Sequence, residues 1–408
     1  MPHLSSRLES LPYSGIRQMM DLARQTPGVL RLEVGDPDFM TPPHITEGAL
    51  RWASQTRMGY PPTAGFPELR AAIADKLAAR NHMPCEPDQV VVTVGATGAL
   101  YLSLFATVSP GDEVLVPDPG WAGYPAMVAV AGGHMRTYAL DPDRGFDLSA
   151  DAVRAAVTER TRAIILNTPN NPTGAVYSTT DLEEVLAIAK THDLWIISDE
   201  CYEEIVFDGE HHSIGAIDDN TTPRVLSVSS FSKTYAMTGW RIGYVVAPSD
   251  IAAAIARLQA PAVASTSGIS QRAALEALSG PQDPVRQMAD TYLRRRELAR
   301  ELLDSAGLAY VLPKGTFYLL LDVRAVARDS ARLANNLLRD IGVSTAPGSA
   351  FGPQGEGFLR ISLACNDNDL REGLTRIVRY LAAQPEASDA GPDPGLATGR
   401  PKHGGASS

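Results

Sequence analysis

Lys233 stands in the run Ser229-Ser230-Phe231-Ser232-Lys233-Thr234-Tyr235, and Arg241 follows it eight residues later in Thr238-Gly239-Trp240-Arg241-Ile242-Gly243. A primary amine acts as a covalent catalyst when it condenses with an aldehyde to a Schiff base, and hydroxyls with a guanidinium grip a phosphate. Pyridoxal phosphate carries both groups on one aromatic ring. Lys233 therefore reads as its point of attachment, with Ser230, Ser232 and Arg241 around the phosphate. The bland alternative is a surface lysine in a hydroxyl-rich loop. Other motifs have to decide between the two.

Val94-Gly95-Ala96-Thr97-Gly98-Ala99 falls where a strand should end and a helix begin, a place with unpaired amides and a positive dipole end suited to phosphate. An ordinary tight turn has the same composition. Asp199, in Ser198-Asp199-Glu200-Cys201-Tyr202, closes an apolar strand, where α/β sheets commonly hold their ligands. Its carboxylate suits a protonated pyridine nitrogen, and a helix N-cap is the equal alternative. Tyr202 then directs its phenol at the ring's 3-oxygen or fills core. Asn171, in Thr168-Pro169-Asn170-Asn171-Pro172-Thr173-Gly174, sits in a turn, and whether its amide also serves cofactor and substrate stays open. Trp121, after Pro117-Asp118-Pro119-Gly120, is placed to stack on an aromatic ring or to pack in the core. Arg360 interrupts the apolar strand Phe358-Leu359-Arg360-Ile361-Ser362. It is either a bidentate fork for a substrate carboxylate or part of a solvated edge.

Positioning these residues needs a scaffold. Seven apolar runs, from Val90–Val94 through Glu113–Val116, His134–Tyr138, Ala163–Leu166, Trp195–Ser198, Val225–Ser229 and Ile242–Val246, alternate with helical stretches. Runs apolar on successive residues suit strands covered on both faces, so the expectation is an α/β fold with a mostly parallel seven-stranded sheet flanked by helices. Past about Gly280 the texture shifts to a long charged helix over Val285–Ala306, strands near Phe317–Leu321 and Phe358–Leu363, and a closing helix. That pattern predicts a smaller α+β domain. The division expected is an arm over 1–45 that joins the small domain, a cofactor-binding domain over 46–284, a small domain over 285–383 and a disordered tail over 384–408.

With 408 residues, 44% hydrophobic and a formal charge of −11, the chain suits small metabolites rather than nucleic acid. No apolar run reaches the roughly 20 residues of a membrane span, and Met-Pro-His-Leu-Ser-Ser-Arg lacks a hydrophobic signal core, so the expected location is the cytoplasm. Three scattered cysteines, Cys85, Cys201 and Cys365, suggest neither a disulfide framework nor a metal site.

In this order, and with Gly35-Asp36-Pro37-Asp38-Phe39, Gly59-Tyr60-Pro61 and Gly65-Phe66-Pro67-Glu68-Leu69-Arg70, the motifs resemble those of the class I aminotransferases of fold type I. This pyridoxal-phosphate family includes the aspartate aminotransferases, and the resemblance covers about residues 12 to 383. It implies that Lys233 forms the Schiff base and moves the proton between the substrate Cα and the cofactor's C4′. Asp199 pairs the ring nitrogen, Asn171 and Tyr202 lie near the 3-oxygen, and Trp121 stacks on one face. Ala96, Thr97, Ser230, Ser232 and Arg241 hold the phosphate, while Arg360, Gly35 and Asn171 receive the substrate. Tyr60 matches a position that reaches the neighbouring subunit's phosphate, which implies a homodimer. The implied reaction is ping-pong transfer of an amino group between an L-amino acid and a 2-oxo acid. A β-lyase (C-S lyase type) on the same fold is the alternative. Aspartate-using bacterial relatives often carry lysine where this chain has Thr97, which makes acidic donors less assured, and the segment from Pro12 to Arg17 favours neutral or aromatic side chains.

Overall fold

A computed structural model describes Leu11, residues 15–218 and residues 223–384. After a short β1 (Leu30–Arg31), the chain lays down β2 (Val90–Thr93), β3 (Glu113–Asp118), β4 (His134–Ala139), β5 (Thr161–Asn167), β6 (Trp195–Asp199), β7 (Val225–Ser230) and β8 (Gly243–Val246). They form one sheet in the order β2-β8-β7-β6-β5-β3-β4. Every pairing is parallel except those of β8, which runs against both β2 and β7. Successive residues of the central strands face opposite layers. Val114, Val116, Ile165 and Ile197 pack with Leu100 and Leu104 of the helix Gly95–Thr107 on one side. Leu115, Ile164, Leu166 and Ile196 pack with Leu182, Val185 and Leu186 of the helix Thr179–His192 on the other. Each such side chain contributes about 1.5–3 kcal/mol on burial, which is why runs apolar on every residue settle as inner strands. β4 departs from that rule. As an edge strand it buries only Tyr138, whose hydroxyl donates to the Ile165 carbonyl at 2.8 Å.

Beyond the sheet, β9 (Tyr310–Val311), β10 (Tyr318–Asp322), β12 (Ala346–Pro347) and β13 (Phe358–Ser362) make an antiparallel sheet in the order β12-β13-β10-β9. The helices Asp283–Ser305 and Asp367–Ala382 pack on each other beside it. β11 (Val343–Ser344) pairs in parallel with β1, which ties the amino-terminal segment to this second region.

That segment, expected as an arm joining the small domain, carries a helix of its own. Gly15–Gln25 is helical because Met19 and Ala23, one turn apart, both bury against the second region. The helix Pro43–Gln55 packs instead on Gly268–Ser279, beside the large sheet. The expected disordered tail lies, from residue 385 onward, outside the described residues.

Candidate active site

The carboxyl ends of β5, β6 and β7 lie side by side. β8 runs the other way, so its first residue joins them, with Asn167 opposite Asp199 and Ser230 opposite Gly243. A cavity of about 330 Å³ opens at this edge and is roofed by Tyr318 of β10 and Arg360 of β13. Of the residues singled out in the sequence, Gly35, Ala96, Thr97, Trp121, Asn171, Asp199, Tyr202, Ser230, Ser232, Lys233, Arg241 and Arg360 all line it. Tyr60 does not. It is 93% exposed elsewhere on the surface.

One end of the cavity is built for an anion. Gly95 opens the helix Gly95–Thr107 at φ +66°, and a Cβ there would lie 2.8 Å from Arg241 Nη2. The positive φ is what favours glycine there. Ala96 and Thr97 follow in the first turn, whose amides have no partner within the helix. Arg241 is anchored by Nη1 donating to the Thr238 carbonyl at 3.0 Å. Ser230 accepts from the Ser232 amide at 3.3 Å.

At the end of β6, Asp199 is 6% exposed. Its Oδ2 accepts from the Tyr124 hydroxyl at 2.8 Å, its Oδ1 takes a long 3.4 Å bond from the Cys201 amide, and the Cys201 thiol also donates to the carboxylate. Burial pushes this carboxyl up. Residues 201–204 form turns and no helix follows, so the N-cap alternative fails. Trp121 meets Tyr124 edge to face at 5.4 Å. Cys201 is buried here, and burial raises its thiol well above the ordinary range, the opposite of an activated nucleophile.

Lys233 extends from the short helix Phe231–Thr234 and donates from Nζ to the Gly35 carbonyl at 2.6 Å. Burial lowers its amine to about 8, opposed by the Asp36 carboxylate.

Opposite Lys233, Arg360 is 3% exposed, which removes the solvated-edge alternative. Nη1 donates to Asn171 Oδ1 at 3.0 Å and Nη2 to the Glu33 carbonyl at 2.6 Å, while Nε has no partner among the described residues. The guanidinium lies 4.1 Å from the Tyr318 ring centre and 4.8 Å from that of Phe351, which holds its plane without spending its donors. Asn171 is fixed by its amide donating to Asn167 Oδ1 at 2.8 Å, and its Nδ2 reaches the Tyr202 hydroxyl at 3.4 Å.

Sequence reading missed Tyr124, Tyr318 and Asp36. Tyr318 links to Tyr202 hydroxyl to hydroxyl at 3.1 Å, and its own hydroxyl abuts Gly35 so closely that no side chain fits there. Asp36 accepts from Thr238 at 2.7 Å, joining the amino-terminal loop to the Arg241 loop. Tyr124 lies three residues past Trp121 and Asp36 directly follows Gly35, the local hints available; Tyr318 meets the site only through long-range packing.

Residues 27–377 match the family model for aminotransferase class I and II. The chain is 39% identical to an aspartate/prephenate aminotransferase of Thermus thermophilus, covering 93% of this chain and 99% of the relative. It is 38% identical to an aromatic-amino-acid aminotransferase of Thermococcus litoralis, covering 93% and 98%. A solved structure of the Thermus thermophilus aspartate aminotransferase with maleate superposes with a TM-score of 0.88 at 39% identity, covering 93% and 100%. The chain therefore belongs to the class I and II aminotransferases, pyridoxal-phosphate enzymes that move an amino group between an amino acid and a 2-oxo acid. These matches favour transfer over the lyase alternative. Among the described residues no helix is long and apolar enough to cross a membrane.

Proposed function

We propose that this cavity carries out ping-pong amino transfer, with Lys233 as both the cofactor's attachment point and the proton carrier. The observation that carries this reading is a pair of opposed displacements across one cavity. The Lys233 amine is lowered to about 8, and the Asp199 carboxyl is raised with no cation against it. Each group is held short of the partner that would satisfy it. The residues fit pyridoxal phosphate. A cradle that a Cβ would fill faces Arg241, a buried carboxylate suits the ring nitrogen, and the Lys233 amine lines the same cavity. When bound, the cofactor supplies an electron sink that makes the substrate's Cα–H acidic.

The protein's own groups do the rest. Asp199, oriented by Tyr124, keeps the ring nitrogen protonated. Lys233 Nζ would take the proton from the substrate Cα and deliver it to the cofactor's C4′, a task suited to an amine whose pKa lies near neutrality. Asn171 and Tyr202 would hold the ring's 3-oxygen, Trp121 would stack on the ring, and Arg360 Nε with Nη1 and Nη2 would receive the α-carboxylate beside Gly35. In this reading residues 46–284 bind the cofactor and 285–383 bring Arg360 to the substrate. Exposed Tyr60, with Met58 at 51% and Met40 at 90%, supports a homodimer in which Tyr60 serves the partner's phosphate site, and the enzyme is assigned to the cytoplasm.

An absorbance spectrum of the purified holoprotein tests the reading, taken before and after single L-amino acids with no oxo acid present. Stoichiometric conversion of the cofactor band with one oxo acid released is expected. Release of ammonia without an amino-loaded cofactor would instead mean lyase chemistry.

A further inference from the structure

We propose that Arg295, which lies outside the cavity, is a positioning residue for amino transfer: through Asp38 it sets the segment 33–41 so that the Gly35 carbonyl meets the Lys233 amine. This inference rests on the transfer reading and adds a residue to it. Arg295 stands on the long helix Asp283–Ser305, and neither it nor Asp38 lines the cavity. Its side chain is 5% exposed, and its donors are divided between two carboxylates. Nη1 and Nη2 donate to the two oxygens of Asp38 at 2.8 and 2.7 Å. Nε donates to Asp367 at 3.0 Å, and Nη1 also reaches the Leu363 carbonyl at 3.2 Å. A bidentate pair of this kind fixes direction as well as distance. The guanidinium also lies 5.5 Å from the Phe39 ring centre, so two consecutive residues of the segment are held by one side chain.

The held segment is the one that touches the reacting amine. Lys233 Nζ donates to the Gly35 carbonyl at 2.6 Å, three residues before Asp38. On the amino-terminal side the Leu32 backbone bonds to Ser344 at 2.9 Å and Ser362 at 2.8 Å, and the Glu33 carbonyl holds Arg360. On the carboxyl-terminal side the Thr41 hydroxyl donates to the Ala236 carbonyl at 2.7 Å. Between these ends Asp36 is tied to Thr238 and Asp38 to Arg295. The anchor of Arg360 is thus secured by the backbone pairing beside it, whereas the placement of Gly35 depends on the ties at Asp36 and Asp38. The same helix face reaches Lys233 by a second route. Tyr292, three residues before Arg295, meets Phe39 edge to face at 5.4 Å and Phe317 at 5.0 Å, and the Phe317 ring centre lies 5.9 Å from Lys233 Nζ. All of these contacts are made within one chain.

The two carboxylates on Arg295 make the test, since only Asp38 belongs to the segment. Asp38→Asn leaves Arg295 paired with Asp367, so no buried charge is stranded. It should lower kcat by about tenfold or more, the scale on which misplaced reacting groups slow an enzyme, and leave KM within about threefold because Arg360 keeps its anchor. Asp367→Asn removes the other partner of the same guanidinium and should leave kcat within about twofold, although both variants lower the melting temperature. In the apoprotein, with no cofactor present, amide hydrogen exchange over residues 33–41 should rise in Asp38→Asn and keep the parent rate in Asp367→Asn. A pair that serves only the fold would move both variants alike in kcat and in exchange, and that result would overturn the inference. A loss of stability in Asp38→Asn with kcat unchanged would do the same. Should Asp38→Asn not fold, Arg295→Lys keeps the charge without the fork and should lower kcat by about tenfold at unchanged KM; a parent-like kcat there would overturn the inference equally. If the parent enzyme itself moved no amino group, the transfer reading would fail, and exchange over 33–41 would still decide whether Asp38 holds the segment.

Discussion

Two charged clusters lie within a few residues of each other in the sequence after β6, and they are built on opposite rules. In the first, Glu203 accepts from Ser229 at 2.8 Å and Asn81 at 2.6 Å, and meets Lys76 at 2.7 Å. Its neighbour Glu200 accepts from Ser213 at 2.9 Å and meets His211 at 3.2 Å. Both oxygens of each carboxylate are matched from within the chain, and Glu203 is held ionised down to about 2 despite its burial, chiefly by Lys76. In the second cluster Asp199 is raised and Lys233 is lowered, and Arg360 Nε has no partner among the described residues. Buried carboxylates whose oxygens are both matched from within the chain hold the fold, whereas a buried carboxylate with no cation against it, beside a lowered amine, is held for a ligand.

The sharpest break in that comparison is Lys233→Ala. Amino transfer should fall by about 10⁴-fold or more, while the cofactor is retained without a covalent bond, as read by dialysis and absorbance. Asp199→Ala should weaken cofactor binding by about 3–5 kcal/mol, roughly two to four orders of magnitude in Kd, with little change in the apoprotein's melting temperature. Glu203→Gln should do the reverse, lowering stability by on the order of 3 kcal/mol at neutral pH and leaving KM untouched. Its sign follows from the direction of the shift. The folded-state pKa lies below the ordinary carboxyl value of 4.5, so the contribution is full above 4.5 and is lost as pH falls toward 2. Acid titration of the variant should therefore lack a component that the parent protein shows in that window.

Arg360→Ala should raise KM by the loss of charged hydrogen bonds, about 1.5–3 kcal/mol for each, in a protein that still folds and binds cofactor. Unchanged KM would move the carboxylate site elsewhere. The smallest effect is kinetic. Capture of pyridoxal phosphate by the apoprotein needs the neutral Lys233 amine, so its rate should climb by about tenfold between pH 7 and pH 9, with a midpoint near 8. A midpoint above 10 would mean that burial does not act on this lysine.

The seven inner and edge strands, the closing helices and the pocket residues Lys233, Asp199, Asn171, Arg241 and Arg360 were all legible before any coordinates. Their signals are local: an unbroken apolar run, a glycine at a strand's end, a charged residue where an apolar one is expected. The exposure of β4 was not legible, because His134–Ala139 does not say whether it has one neighbour or two. The helix Gly15–Gln25 was obscured by the glycines and prolines that flank it, since its stability comes from Met19 and Ala23 meeting a surface contributed by residues far along the chain.

The sequence by itself determined which groups are present and which strand ends they occupy, because strand burial and backbone turns are set by neighbouring residues. Only the tertiary structure decided that Tyr124 orients Asp199, that Tyr318 closes over Gly35, and that Arg360 is anchored by Asn171 and Glu33, residues 189 and 327 positions away. Those contacts join elements far apart in the chain, and the free energy that selects them is spread over many packed residues rather than written at any one position.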